Sequence, residues 1–583
     1  MSDERKIDTP AAADRPTYKI LSEGSEIRQE YQVKALTVRR SVNRITSATI
    51  LLLDGDPAKE DFAISSGEEF TPGKIIEIQA GYHSNEEIIF KGVVVKHGIR
   101  AYENKPSVLR IECKDEAVKL SIRRNNKYFY ESTDSEILEE IINGIGLQPE
   151  VESTDISHQE LVQFNTTDWD FLVSRSEANG KLVFTEDGVV KIAQPDLGQS
   201  PTLRLKYGGN LLDFEAEMDA RHQYEAVNAY AWDAANQERL ELESEDLSDP
   251  LPGNLSPSDL AAVIGLDHFD LHHAGQIKDA ELQAWANAQL LKSRLSKVRG
   301  RARIQGYGAI RPGMVISIDG LGDRFNGTAY VSGVMHEINT KNWETNIELG
   351  LSPHWFSKEN EHINDCPAGG MLAAVNGLQI GLVSAIEEDP EGEDRVQVRI
   401  PMIDPAEEGV WARVASLDAG ENRGAFFRPE IGDEVVLGFL NEDPRNPIIL
   451  GMLNSSAKPA PYPGADDNHI KGFVTRSEMK LTFDDENVVT SIETPNGNKI
   501  VLSDADGGIT LEDENGNKVV MSSDGINLES AKDVIITASG DVKIEGTNVE
   551  LKASANFKAE GSAGAEMSTS ASAVVKGSTV MIN

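Results

Sequence analysis

From Asn496 to Asn583 the sequence becomes a repeat in which two apolar residues, one apart, recur with polar residues and glycines between them. The pairs are Ile500/Leu502, Ile509/Leu511, Val519/Met521, Ile526/Leu528, Val534/Ile536, Val542/Ile544, Val549/Leu551, Phe557/Ala559, Ala565/Met567, Ala573/Val575 and Val580/Ile582. The first steps are 9 and 10 residues, and every later step is 7 or 8. An apolar-x-apolar unit is a very short strand with one buried face, and the intervening Gly, Asn, Asp and Ser are turn formers. No proline follows Pro495, so nothing interrupts strand pairing. A short fixed period of this kind specifies a β-solenoid or fibrous β structure rather than a globular core.

Magnitudes indicate how many chains build it. Ordering eight residues costs about 8–16 kcal/mol of backbone entropy, whereas two buried aliphatic side chains return about 3–6 kcal/mol. One chain is therefore short of apolar surface, and three chains wound together, each giving one strand per layer, is the better solution. A disordered Ser/Gly/Lys-rich tail is the bland alternative, but disorder has no reason to keep apolar pairs in register.

The remaining composition sets the class. The 583 residues are enough for three to five domains, and 39% hydrophobic content is ordinary for a protein with real cores. A net charge of −40 disfavours nucleic acid or an anionic membrane as partner. Two distant cysteines, Cys113 and Cys366, indicate neither a disulfide framework nor a Cys-based metal site. The N-terminus lacks an apolar signal segment, and no stretch of 18 apolar residues occurs. Synthesis in the cytoplasm without a signal peptide is expected, with any exit by lysis or propulsion.

In chain order, residues 1–16 read as a flexible tail, followed by six or so alternating strands over about 100 residues, the pattern of a β-barrel or sandwich. A helix capped by Ser135 covers SEILEEIINGIGL, and a second starts near Asp168 and runs to Asn179-Gly180 before a hairpin. After an acidic, Pro/Gly-rich loop (ELESEDLSDP), a long helix places Leu282, Trp285, Ala288, Leu291, Leu295 and Val298 at helical spacing. Strands then resume after Gly300.

Here a family resemblance appears. FKGVVV (Phe90 to Val95), TDWDFLVSRSEANGKLVF (Thr167 to Phe184) and RPGMVISIDG (Arg311 to Gly320) resemble the hub of VgrG-like spike proteins of contractile injection systems, similar to a phage baseplate hub fused to a needle. RVQVRIPM, VWARVASLDAG and GAFFRPEIGDEVVLGFLNEDPRNPIILGML resemble the family's small OB barrel more specifically. Its five strands are read at Gly377 to Ala385, Asp394 to Ile400, Val410 to Ala415, Asp433 to Leu440 and Pro447 to Leu450. Trp411, Phe426, Phe427 and Phe439 are read as core or trimer contacts rather than a nucleic-acid platform.

The resulting expectation is a mainly β protein. A hub of β-barrels with a few helices spans 17–365, an OB-fold neck 370–456, a linker 457–480 and a trimeric, triple-stranded β-helical needle (a β-prism) 481–583. Eleven pairs stacked about 4.8 Å apart would make the needle roughly 50 Å long. The resemblance implies a homotrimeric structural spike that joins an inner tube and baseplate proteins to a tip, carries effector cargo, and meets a target membrane by mechanical puncture. It implies a phage-tail-like particle that is released or delivered into a target cell. The linker is too short for the lysozyme domain of some phage needles, so that activity is not expected.

No enzyme is expected and no cofactor. Neither a G-x-S-x-G elbow, a P-loop, H-E-x-x-H nor a dinucleotide fingerprint occurs. His268 with His272/His273 has the i, i+4 spacing of a helical metal pair but shows no third ligand. SDADGG and DENGN read as hairpin turns, not calcium loops. The H-x-H tip site of some phage needles is absent, so Val580, Met581, Ile582 and Asn583 are read as the blunt seat of a separate PAAR-like tip protein. The competing readings are an effector-carrying spike with enzymatic activity and a trimeric carbohydrate-binding adhesin.

Overall fold

A computed structural model describes residues 15–245 and 251–582. The expected tail falls almost wholly outside the described residues, as do the end of the acidic loop and Asn583. The chain divides into two compact units, Met1–Gly377 with Phe439–Pro447, and Leu378–Gly438 with Ile448–Asn583.

The first unit is built on a 13-stranded sheet. Its antiparallel strands alternate inward and outward residues, as in Arg44–Leu53, where Ala48, Ile50 and Leu52 are buried. Register then matches apolar to apolar: Leu36 lies opposite Ile50, and Val38 opposite Ala48. The strand Gly327–Asn339 pairs with Val33–Ser41 on one side and Trp343–Leu349 on the other. The strands that resume after Gly300 thus re-enter the sheet begun at the N-terminus, which no local pattern could reveal.

Five α-helices lie among the described residues of this unit: α1 (Asp134–Gly144), α2 (Asp168–Ala178), α3 (Pro257–Ile264), α4 (Asp279–Leu295) and the single-turn α5 (Phe356–Glu359). The cap of α1 is Thr133, not Ser135. Thr133 and Glu136 form a reciprocal capping box, while the Ser135 hydroxyl accepts from the Thr154 amide. Sequence reading also passed over α3, although Ser256, Pro257, Asp259 and Gly265 carry its start and stop chemistry. Along α4, Leu282, Ala286 and Leu290 pack against the strand Ala226–Asp233, whereas Val298 begins the next strand rather than ending the helix. The first three residues of the acidic loop, Glu241–Glu243, belong to the strand Glu238–Glu243. Cys113 is buried, Cys366 is exposed, and both are free.

In the second unit, Gln379–Ala385, Val396–Arg399, Val410–Val414, Pro447–Met452 and Glu434–Phe439 close a five-stranded barrel in that order. Val383, Val396, Val398, Val435, Leu437 and Ile449 fill it. Trp411 and Phe439 are half-buried, and Phe426 and Phe427 are exposed, so those two phenylalanines are not barrel core. The segment expected as linker contains the strand Ile470–Val474, which opens a seven-stranded antiparallel meander ending at Gly525–Glu529. This departs from the expectation of one strand per layer from each of three chains, because up to Glu529 successive strands of one chain pair with each other. Between residues 530 and 582 no described residue enters a strand or helix.

Candidate functional site

The apolar pairs read from the sequence align across the meander. Phe473, Leu481, Ile492, Ile500, Leu511, Val519 and Leu528 form one cross-strand ladder. Two residues away, on the same face, Phe483, Thr490, Leu502, Ile509, Met521 and Ile526 form a second. Seven strands make the first ladder about 30 Å long. No described residue covers this face: Leu502 is 46% exposed and Ile526 75%. A groove of about 600 Å³ follows the first ladder and reaches Val534 and Ile535. Contiguous apolar surface of this extent marks a site of association.

Two further apolar sets belong to the same unit. At the barrel, Phe426 and Phe427 are exposed; the Phe427 ring stacks on Phe473 at 5.3 Å, and the Arg428 guanidinium lies 5.2 Å from the Phe426 ring centre. Beyond Glu529, each later pair leaves its larger side chains exposed, from Ile536 at 71% to Ile582 at 91%. Of the four residues read as the tip seat, Val580, Met581 and Ile582 are exposed, and Asn583 lies outside the described residues.

Groups that resemble chemistry prove to be structural. His268–His272 is a strand, so the helical juxtaposition of His268 and His272 does not form. His272 instead stacks on Tyr230, and His273 Nδ1 meets the Gly275 backbone. Among the described residues no cluster of three His, Cys, Asp or Glu could hold a metal, and no helix is long and apolar enough to cross a membrane. In DENGN, the Asp513 carboxylate accepts from the Asn517 side chain and from the Asn517 and Asn515 amides. These bonds hold its pKa down at about 2 and tie the turn closed.

Sequence reading missed a buried ionic network in the first unit. Asp134, at the start of α1, receives both Arg175 nitrogens at 2.7 and 2.8 Å, His158 Nε2 at 3.0 Å and Asn179 Nδ2 at 2.9 Å. Arg175 also reaches Glu281 on α4 at 3.0 Å. Burial opposes the Asp134 charge, but the His158, Arg175 and Asn179 bonds outweigh it and hold its pKa well below the usual carboxylate range. The network joins α1, α2 and α4 to the strand Ser157–Thr167 and contains no nucleophile. Its members are scattered from 134 to 281, so only the Asp at a helix start could have hinted at it.

Comparison with known proteins finds similarity to components of injection machines. Three family models match in tandem: the Alg8 N-terminal domain over residues 12–340, the type VI secretion system/phage-baseplate injector OB domain over 379–453, and the phage baseplate V C-terminal trimerisation domain over 487–583. The first alone covers more than half of the chain. The type VI secretion system spike protein VgrG1b of Pseudomonas aeruginosa is 24% identical over 56% of this chain and 46% of its own length. VgrG1a of the same organism is 28% identical over 32% of this chain and 30% of its own length. The matched region therefore spans less than half of these curated relatives. A type VI secretion component of E. coli, similar in structure to T4 phage tail proteins gp27 and gp5, aligns over 75% of this chain and 100% of its own at 13% identity. Its TM-score is 0.36, too low for anything to rest on it.

Proposed function

This chain belongs to the VgrG-like family of phage-baseplate and type VI secretion spike proteins, and from that premise we propose that it is the homotrimeric central spike of a contractile injection machine. The observation that carries this reading is the pair of apolar ladders lying open on one face of the meander, followed by more than fifty described residues that pair with no strand among the described residues. Three copies related by a three-fold axis can turn these faces inward and supply the missing strand partners of residues 530–582. The same packing gives Phe426 and Phe427 a role as contacts between copies.

In the assembled spike the first unit is the hub under the inner tube and baseplate, the OB barrel is the neck, and the C-terminal segment is the needle. The role is mechanical rather than catalytic. A closed prism of paired strands has no free lateral edge to peel, so it transmits axial force without yielding sideways. Val580 to Asn583 are the seat of a PAAR-like tip protein, and the particle delivers effector cargo through a target envelope.

The test is the solution mass of the full chain beside a truncation ending at Ser456. Three times the chain mass for the full protein, falling to one for the truncation, is expected. A monomeric full chain would overturn the reading. Deleting Val580 to Asn583 should abolish tip-protein binding and leave the trimer intact; retained binding sinks the tip assignment.

A further inference from the structure

We infer that the first unit carries a socket for an arginine side chain of a basic partner protein. The socket is a cavity of about 220 Å³, room for about seven waters, where four chain segments converge. Tyr82 and Asn85 flank a two-residue turn, His83–Ser84, in which both residues take positive φ. Tyr82 stacks on Trp343 at 5.4 Å between ring centres and an interplanar angle of 24°. The segment Gly306-Tyr307-Gly308 closes over Trp343. Its first amide donates to the Trp343 carbonyl at 2.9 Å, and the Tyr307 amide to Thr345 Oγ1 at 3.0 Å.

Glycine at 306 is dictated by this packing, because a Cβ there would stand 2.0 Å from the Trp343 ring. The loop is thereby held close over the indole and brings Tyr307, half-buried, to the cavity wall beside Tyr82. Trp343 is only 3% exposed and serves as the floor, and the half-buried Tyr82 and Tyr307 supply aromatic lining to the walls.

Electrostatics selects the guest. Glu87 is the one ionisable carboxylate lining the cavity, no Lys, Arg or His lines it, and no ion pair or hydrogen bond engages the Glu87 side chain among the described residues. An aromatic-walled pocket with one uncompensated carboxylate attracts a cation through both ring faces and charge. A planar guanidinium can stack on an aromatic ring and pair with a carboxylate, where a compact ammonium does not stack. The net charge of −40 points the same way, since a protein that docks on so acidic a chain presents basic residues.

Saturation-transfer NMR on the full-length protein with N-acetyl-arginine amide reads this directly. A saturable signal on the arginine side-chain methylenes is expected, with none for N-acetyl-alanine amide or glucose. Glu87→Gln and Tyr307→Ala should each weaken it about fivefold. Glu139→Gln, which removes an exposed charge from α1, should leave it unchanged. A signal equal in Glu87→Gln and Glu139→Gln would mean diffuse attraction to an acidic surface and would overturn the socket, as would saturable binding of glucose in place of arginine. Glu87 is exposed, so its variant tests the site without endangering the fold.

Discussion

The strand Arg44–Leu53 in the first unit and the strand Lys499–Ser503 in the meander each set a pair of large apolar residues, two apart, on one face. In the first, Ile50 and Leu52 are sealed at 0% exposure; in the second, Ile500 and Leu502 stand 40% and 46% open. Each set is hydrogen-bonded on both sides, so backbone pairing is not what separates them. The difference is what lies behind the face. The sheet of the first unit folds onto its own strands and helices, while the meander has no second layer among the described residues. Identical local patterning can therefore encode either a closed core or a seam that waits for other copies.

The strongest way to break this comparison is to charge the seam. Leu511→Asp would bury three unpaired carboxylates in the assembled needle, at a cost on the order of 3–5 kcal/mol per chain, and light scattering should show the trimer dissociating. Thr510→Asp, on the opposite face, should leave the mass unchanged. If both variants dissociate, the ladders do not face inward.

Next in size is the hub's internal network. Arg175→Met leaves the Asp134 carboxylate buried without its bidentate partner, for about 3–5 kcal/mol of lost stability. Calorimetry should show the hub transition falling while the trimer mass is retained, because the two regions depend on different partners.

A pH titration sharpens the contrast. The folded-state pKa of Asp134 lies below its unfolded value, so its contribution is complete above the ordinary carboxylate range and is lost as pH falls through about 4 toward the folded value. The hub transition should weaken between pH 5 and 3, and Asp134→Asn should flatten that slope. An unchanged slope would show that other carboxylates govern the acid response.

The smallest expected effect is at the barrel. Phe427→Ala removes the stack on Phe473 and should cost about 1 kcal/mol in the second unit's transition. A loss several times larger than that of Phe473→Ala, which breaks the same intrachain stack, would place Phe427 between copies.

Much of the architecture was legible from residues because it depends on local chemistry. Gly432-Asp433 and Asp443 to Pro447 turn the barrel strands as their residue types require, and Thr167 to Asn179 carries its own start and stop for α2. The errors were of two physical kinds. Thr133 outcompeted Ser135 as a cap because Glu136 could reciprocate, and His268–His272 became a strand because it pairs alongside Ala226–Tyr230. The ionic network and the arginine socket were invisible because their members come together only through sheet register and helix packing.

What the sequence by itself determined is which residues of the C-terminal segment share a face, since side-chain alternation is a property of neighbouring residues in an extended chain. What only the tertiary structure decided is with whom each strand pairs. Step length does not settle it: the seven-residue step from Val519/Met521 to Ile526/Leu528 still folds back through Ser523–Asp524, whereas the similar steps beyond Glu529 do not. Strand hydrogen bonds join groups distant along the chain or on another chain, and the alternation that marks a strand is the same in either case.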